Sequence, residues 1–79
     1  MTSNELMEKL QKIFQDVMDN DEIVITETTN SDDIEEWDSL THIQLVVAIE
    51  KAFGIKFLSK EITSWKNVGD TMESIIIKI

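Results

Sequence analysis

Cysteine is absent from the 79 residues, so no disulfide, thiolate ligand or cysteine nucleophile is available. Any thiol chemistry has to come from an added group. Proline is absent too and glycine occurs twice, a scarcity of chain breakers that suits helices joined by a few loops and argues against a turn-rich β fold. Arginine is missing: seven lysines stand against 16 acids, for a formal net charge of −9. Such a surface repels phosphate backbones, so nucleic acid and anionic membranes are poor partners, and proteins with basic docking patches are the expected ones. No apolar stretch is long enough to span a bilayer, and Met1–Glu5 lacks the basic flank and apolar run of a signal peptide. The expectation is a cytoplasmic monomer that inserts into no membrane. The length suits one domain, residues 1–79, with a modest core, and 42% hydrophobic residues argue against wholesale disorder.

What is present is mostly helical pattern, without internal repeats or low-complexity tracts. Leu6, Met7, Leu10, Ile13, Phe14, Val17 and Met18 recur at i, i+3 and i+4 and predict an amphipathic helix over residues 3–18, with Thr2 and Glu5 as its capping box. Residues 19–37 read as a long polar and acidic loop, a length that is often functional in a compact domain. Within it, Ile23-Val24-Ile25 has no second strand to pair with and reads as an anchor pressed onto the core. A second helix is predicted from Ser39 to Phe53, with Asp38 as N-cap and Gly54 as its stop. A short turn over residues 59–63, capped by Ser59, follows. The last helix begins after Asn67, with Val68, Met72, Ile75, Ile76 and Ile79 as its apolar face. The fold class is therefore all-α: a small four-helix bundle of three main helices and one short one, with a long first loop.

The second helix carries most of the information. At roughly 100° per residue it has two apolar stripes on largely opposite faces. Leu45, Val46, Ile49 and Phe53 form one; Leu40, Ile43 and Val47 form the other. Either both are core because the helix is central, or the second lines a cavity, packs under the loop or awaits a partner. Asp32, Asp33, Glu35, Glu36 and Asp38 put five acids within seven residues of the helix start, more than capping requires, although a solvated acidic loop reads the same way. Ser39 sits in the first turn, where unpaired backbone N–H groups and the helix dipole favour an anion such as a phosphodiester. Taken alone, a serine beside an Asp cap is as readily plain capping chemistry.

Catalysis and metal binding fit less well. Asp38, Ser39 and His42 superficially resemble a triad, but Asp38 is tied to the same helix start and cannot reach the far side of His42 to orient it. His42 reads instead as a helix-surface or boundary residue. The acidic loop lacks the alternating ligands and central glycine of a calcium hand, and a lone histidine makes no tetrahedral site, so neither a metal nor an enzymatic activity is expected.

The run Trp37-Asp38-Ser39-Leu40-Thr41-His42-Ile43-Gln44-Leu45-Val46-Val47-Ala48-Ile49-Glu50-Lys51-Ala52-Phe53-Gly54-Ile55-Lys56-Phe57 closely resembles the second helix and following loop of acyl carrier proteins. Length, acidity, the long first loop, the short third helix and Val68-Gly69-Asp70 extend the resemblance to the whole chain. It implies that a phosphopantetheinyl transferase, drawing on coenzyme A, attaches 4'-phosphopantetheine to Ser39, flanked by Asp38 and Leu40. It further implies that acyl or aminoacyl cargo rides on the arm as a thioester in fatty-acid, polyketide-like or related biosynthesis. Glu35, Glu36, Ile43, Gln44, Val47 and Glu50 would then face the transferase and the acyl-loading and acyl-transferring enzymes. The chain departs from the fatty-acid carriers: Gln44, Lys51 and Ala52 stand where those often have acids, and Trp37 where a small residue is usual. The Trp-Asp-Ser-Leu-Thr-His form looks more like stand-alone carriers of specialised pathways, such as polyketide-like synthesis, aminoacyl transfer or surface-polymer modification. The alternative is an unmodified acidic helical module that docks through its acidic face.

Overall fold

Each helix is delimited by a cap written in the local sequence. In the computed structural model, which describes residues 2–79, α1 spans Ser3–Met18. The Thr2 hydroxyl accepts from the Glu5 N–H at 3.2 Å, the hydroxyl half of the expected capping box. The helix ends at Asp19, a left-handed residue (φ 52°) of a type that tolerates this conformation. There the Asn20 N–H returns to the Gln15 carbonyl and the Asp19 N–H to that of Asp16, a Schellman closure. Helix α2 spans Ser39–Phe53 and stops at Gly54 (φ 66°), as the sequence predicts. Helix α3 spans Ser59–Ser64, and α4 spans Val68–Lys78 with the Asn67 side chain accepting from the Asp70 N–H.

One cap differs from expectation. Ser59 is the first residue inside α3 and does not cap it. The Glu61 carboxylate reaches back to the Leu58 N–H at 2.8 Å, and it also pairs with Lys78 at 3.1 Å, which fastens α3 to the end of α4.

The core is built from Leu6, Leu10 and Phe14 of α1, Leu45 and Ile49 of α2, and Val68, Met72 and Ile75 of α4. The expected loop anchor holds in alternation: Ile23 and Ile25 are buried, Val24 points outward, and Ile34 adds a further anchor. Two glutamines of α1 fix the anchor's backbone. Gln11 Oε1 accepts from the Ile25 N–H at 3.1 Å, and the Gln15 amide donates to the Ile23 carbonyl at 2.9 Å. The loop also caps α4, whose Val68 and Gly69 N–H groups donate to the Thr29 and Glu27 carbonyls at 2.8 Å each. Gly69 suits this approach: a Cβ would lie 3.0 Å from the Glu27 carbonyl oxygen, so a larger residue would have to push the loop backbone back.

Two stripe assignments need correction. Ile76 and Ile79 are exposed, and Thr71 takes the buried place beside Val68, Met72 and Ile75, because α4 presents only one narrow side to the bundle. Phe53 is only partly buried, at the end of α2 where the neighbouring helix no longer covers it, with the Lys9 ammonium 5.7 Å from its ring centre. Ile49, by contrast, is fully buried. Ile49→Ala should therefore cost about 2–5 kcal/mol, a large part of the stability of a small domain. Phe53→Ala should cost less, because its site opens to water and leaves no sealed cavity. Denaturant melts of the two variants check the order.

Candidate functional site

Two of the N–H groups at the start of α2, those of Asp38 and Thr41, find side-chain partners without using Ser39. Asp38 Oδ1 accepts from the Thr41 N–H at 2.9 Å, and the Asp38 N–H donates to Thr41 Oγ1 at 2.8 Å, a reciprocal capping box with threonine in the role usually given to Glu or Gln. The Thr41 hydroxyl in turn donates to the Glu36 carbonyl at 2.8 Å, which ties the end of the loop to the helix start. Ser39 follows as the first helical residue, exposed, and its hydroxyl has no hydrogen-bond partner among the described residues. The capping role open to it on sequence grounds is taken by its neighbours. The Thr41 N–H, foremost among several hydrogen bonds, holds the Asp38 carboxyl below its ordinary 3.8. The stabilisation from that charge is present above 3.8 and is lost as the pH falls below it.

Beyond Ser39 on α2, Leu40, Ile43 and Val47 are 65%, 63% and 43% exposed, while Leu45, Val46 and Ile49 are buried. The two stripes are thus two faces, one packed and one open. Gln44 is exposed beside the open face. The acids named with it divide. Glu35 is exposed, but Glu36 accepts from the Asn20 side chain at 2.7 Å, and Glu50 accepts from the Phe57 N–H at 2.9 Å, where it holds the chain between α2 and α3.

On the other side of Ser39 lies an open cleft of about 540 Å³, walled by Trp37, Ser39, His42, Ile62, Trp65 and Thr71 among others. An aromatic series runs along it. Trp37 sits edge-on to the core residue Phe14 with ring centres 5.0 Å apart, and the His42 ring lies beside Trp37, 21° from parallel with centres 6.0 Å apart. Trp65 meets His42 at 6.2 Å and Phe57 at 4.8 Å, both edge to face, and donates its indole N–H to the Ser74 hydroxyl at 2.8 Å. His42 is the boundary residue expected, but its bond was not legible in the sequence: the Trp37 Nε1–H donates to His42 Nδ1 at 3.1 Å. Nδ1 is therefore an acceptor, the reverse of a catalytic triad, in which Nδ1–H donates to a carboxylate. Trp65 had no sequence signal beyond being a large aromatic in a polar stretch. Among the described residues no group of three or more His, Cys, Asp or Glu side chains gathers as a metal site.

Burial pushes the His42 imidazole below its ordinary 6.5. The unfolded chain takes up this proton near 6.5, the folded chain only at lower pH. The stability linked to the group is therefore complete above 6.5 and declines as the pH falls toward the folded value. Lowering the pH from about 7.5 to about 5.5 should depress the melting temperature of the wild type more than that of His42→Gln, since only the wild type must charge a half-buried ring or give up its bond from Trp37. Paired melts across that interval measure the difference.

Known proteins resemble this chain in sequence and in fold. A family model described as "Phosphopantetheine attachment site" matches residues 8–75. An acyl carrier protein of Thermosynechococcus vestitus is 31% identical over 80 residues, covering 100% of this chain and 98% of its own length. One of Petrotoga mobilis is 30% identical over 79 residues, covering 100% and 93%. The solution structure of a holo acyl carrier protein from Geobacter metallireducens superposes with a TM-score of 0.86 at 42% identity, covering 91% of this chain and 83% of that one. With a four-helix fold to match, and a family model spanning nearly its whole length, this chain belongs to the acyl carrier protein family, with phosphopantetheine as its covalent prosthetic group.

Proposed function

We propose that Ser39 is the attachment point and that the protein carries acyl or aminoacyl cargo between partner enzymes, with no catalysis of its own. The observation that carries this reading is the free, exposed Ser39 hydroxyl at the first position of α2, left unengaged because Asp38 and Thr41 close the cap. The residues present fit the group. A phosphodiester on this oxygen stands before the first-turn N–H groups and the positive end of the helix dipole, and the cleft beginning at Ser39 gives an arm room to lie. When bound, phosphopantetheine supplies the thiol that this cysteine-free chain lacks, and cargo is held there as a thioester.

The open face of α2 supports a role in docking. Leu40, Ile43 and Val47 offer apolar contact beside Ser39, Gln44 stands among them, and Glu35 adds charge at the rim. Glu36 and Glu50 contribute field as well, but each also holds backbone or side-chain structure. The partners this surface suits are a phosphopantetheinyl transferase and acyl-loading and acyl-transferring enzymes with basic patches, meeting it in the cytoplasm. Gln44, Lys51 and Ala52, all lacking the negative charge of the fatty-acid pattern, favour a specialised pathway over the main fatty-acid one.

Incubation with coenzyme A and a broad-specificity transferase should add one arm, mapped by mass spectrometry to Ser39 and abolished in Ser39→Ala. A gain at another serine sinks the assignment to Ser39, and no gain with a transferase active on a control carrier leaves the unmodified interaction module. For docking, Ile43→Asp should stay helical and melt cooperatively, since an exposed site keeps the charge hydrated, yet load poorly. Glu35→Gln should slow association, and wild-type binding should weaken as salt rises. An Ile43→Asp variant that unfolds would return this stripe to the core, and an affinity flat in salt would remove the electrostatic part.

A further inference from the structure

The aromatic series beside Ser39 orients a ring whose second nitrogen is unused. We propose that His42 is a positioning residue for the arm: its Nε2–H donates a hydrogen bond to an acceptor oxygen of the arm carried at Ser39, and Trp37 fixes which ring nitrogen holds that proton. The inference rests on Ser39 being the attachment point.

The first step is tautomer chemistry. An indole N–H can only donate, so the Nδ1 atom that receives it must present a lone pair. A singly protonated His42 therefore carries its proton on Nε2. That atom has no hydrogen-bond partner among the described residues and is not sealed from solvent. The second step is placement. His42 lines the same cleft as Ser39 and stands three residues further along α2, so the two side chains are neighbours on one helix face, with about 5–6 Å between Cβ atoms. The third step is rigidity. The imidazole is hydrogen-bonded edge to edge with Trp37, which is seated on Phe14, and is met by Trp65, which is fixed by Ser74 and Phe57. A donor held this way loses little freedom on binding an acceptor, which makes it useful for setting direction. Burial, which keeps the ring from charging, preserves a neutral donor at neutral pH. Asp38 and Lys66 are the ionisable groups that share the cleft lining with it.

The matching ligand chemistry is an acceptor oxygen, either of the phosphodiester or of an amide carbonyl further along the arm. Both are parts of one group, and spectroscopy separates them. The experiment uses the full chain labelled with ¹⁵N, before and after loading from ¹³C-labelled coenzyme A, with mass spectrometry establishing the arm on Ser39 in every sample. In the unloaded wild type, His42 should be the Nε2–H tautomer, and Trp37→Phe should turn it into a mixture. Loading should shift the His42 Nε2–H resonance and slow its exchange with water. His42→Gln, whose amide nitrogen can reach the Nε2 position, should keep the loaded arm's resonances near those of the wild type, whereas His42→Phe should displace them. Displacement of the ³¹P signal identifies the phosphodiester as acceptor; displacement of a ¹³C carbonyl alone identifies an amide. The wild-type comparison needs no variant to fold. Loss of loading at Ser39 removes the attachment reading and this one with it. An arm on Ser39 with His42 Nε2–H unmoved, or arm resonances equal in the wild type and a folded His42→Phe, overturns the positioning role alone and leaves His42 as packing.

Discussion

The first turn of α2 has backbone N–H groups to satisfy, and Asp38 and Thr41 satisfy two of them between themselves, their own. From that reciprocal cap the rest of the site follows. Thr41 reaches back to the Glu36 carbonyl, so the acidic loop is delivered to a fixed point. Ser39 is left one step inside the helix with a free hydroxyl. The same helix register sets Leu45 and Ile49 into the core while Leu40 and Ile43 stay in water. If Ser39 itself were the cap, its oxygen would be engaged with backbone. A carrier of the proposed kind needs one oxygen held out from a rigid element, and this cap leaves the Ser39 hydroxyl in that position.

Rigidity is bought elsewhere with polar side chains as much as with apolar ones. The loop between α1 and α2 is long and acidic and would gain entropy by leaving the surface. Ile23, Ile25 and Ile34 hold it down, and Gln11 and Gln15 satisfy backbone groups that burial would otherwise strand. It then serves as a platform for α4, whose first N–H groups find their carbonyls at Thr29 and Glu27. At Gly69 the approach of backbone to backbone leaves a side chain little room. A chain with net charge −9 thus keeps its acids out of the core.

The open face and the aromatic cleft flank Ser39 on different sides, and they suit different tasks. Leu40, Ile43 and Val47 are mobile-ended aliphatic groups in water, adaptable to several partners. Trp37, His42 and Trp65 are planar groups locked by ring contacts and indole hydrogen bonds, suited to one geometry. On the proposed reading, separating adaptable docking from fixed orientation would let Ser39 meet many enzymes while its arm starts from a defined place.

The boundaries of the helices were legible in the sequence because caps are local. Asp38, Gly54 and Asn67 act on backbone within a few residues of themselves, as did the Asp-Ser-Leu run that marks the family. The Leu45 and Ile49 stripe was legible for the same reason, since helical spacing alone puts those residues on one face. What the tertiary structure alone decided depends on which neighbour arrives from far along the chain. Periodicity put Phe53, Ile76 and Ile79 on core stripes, but no helix covers them fully, and Thr71 took a buried place that its polarity would not suggest. The cap of α3 fell to Glu61 because its carboxylate could serve Leu58 and Lys78 together. The cleft itself joins Trp37, His42 and Trp65 from the loop, α2 and the end of α3. No pattern of spacing announces such a meeting, because ring contacts between distant segments are set by how the helices pack and not by the helices themselves.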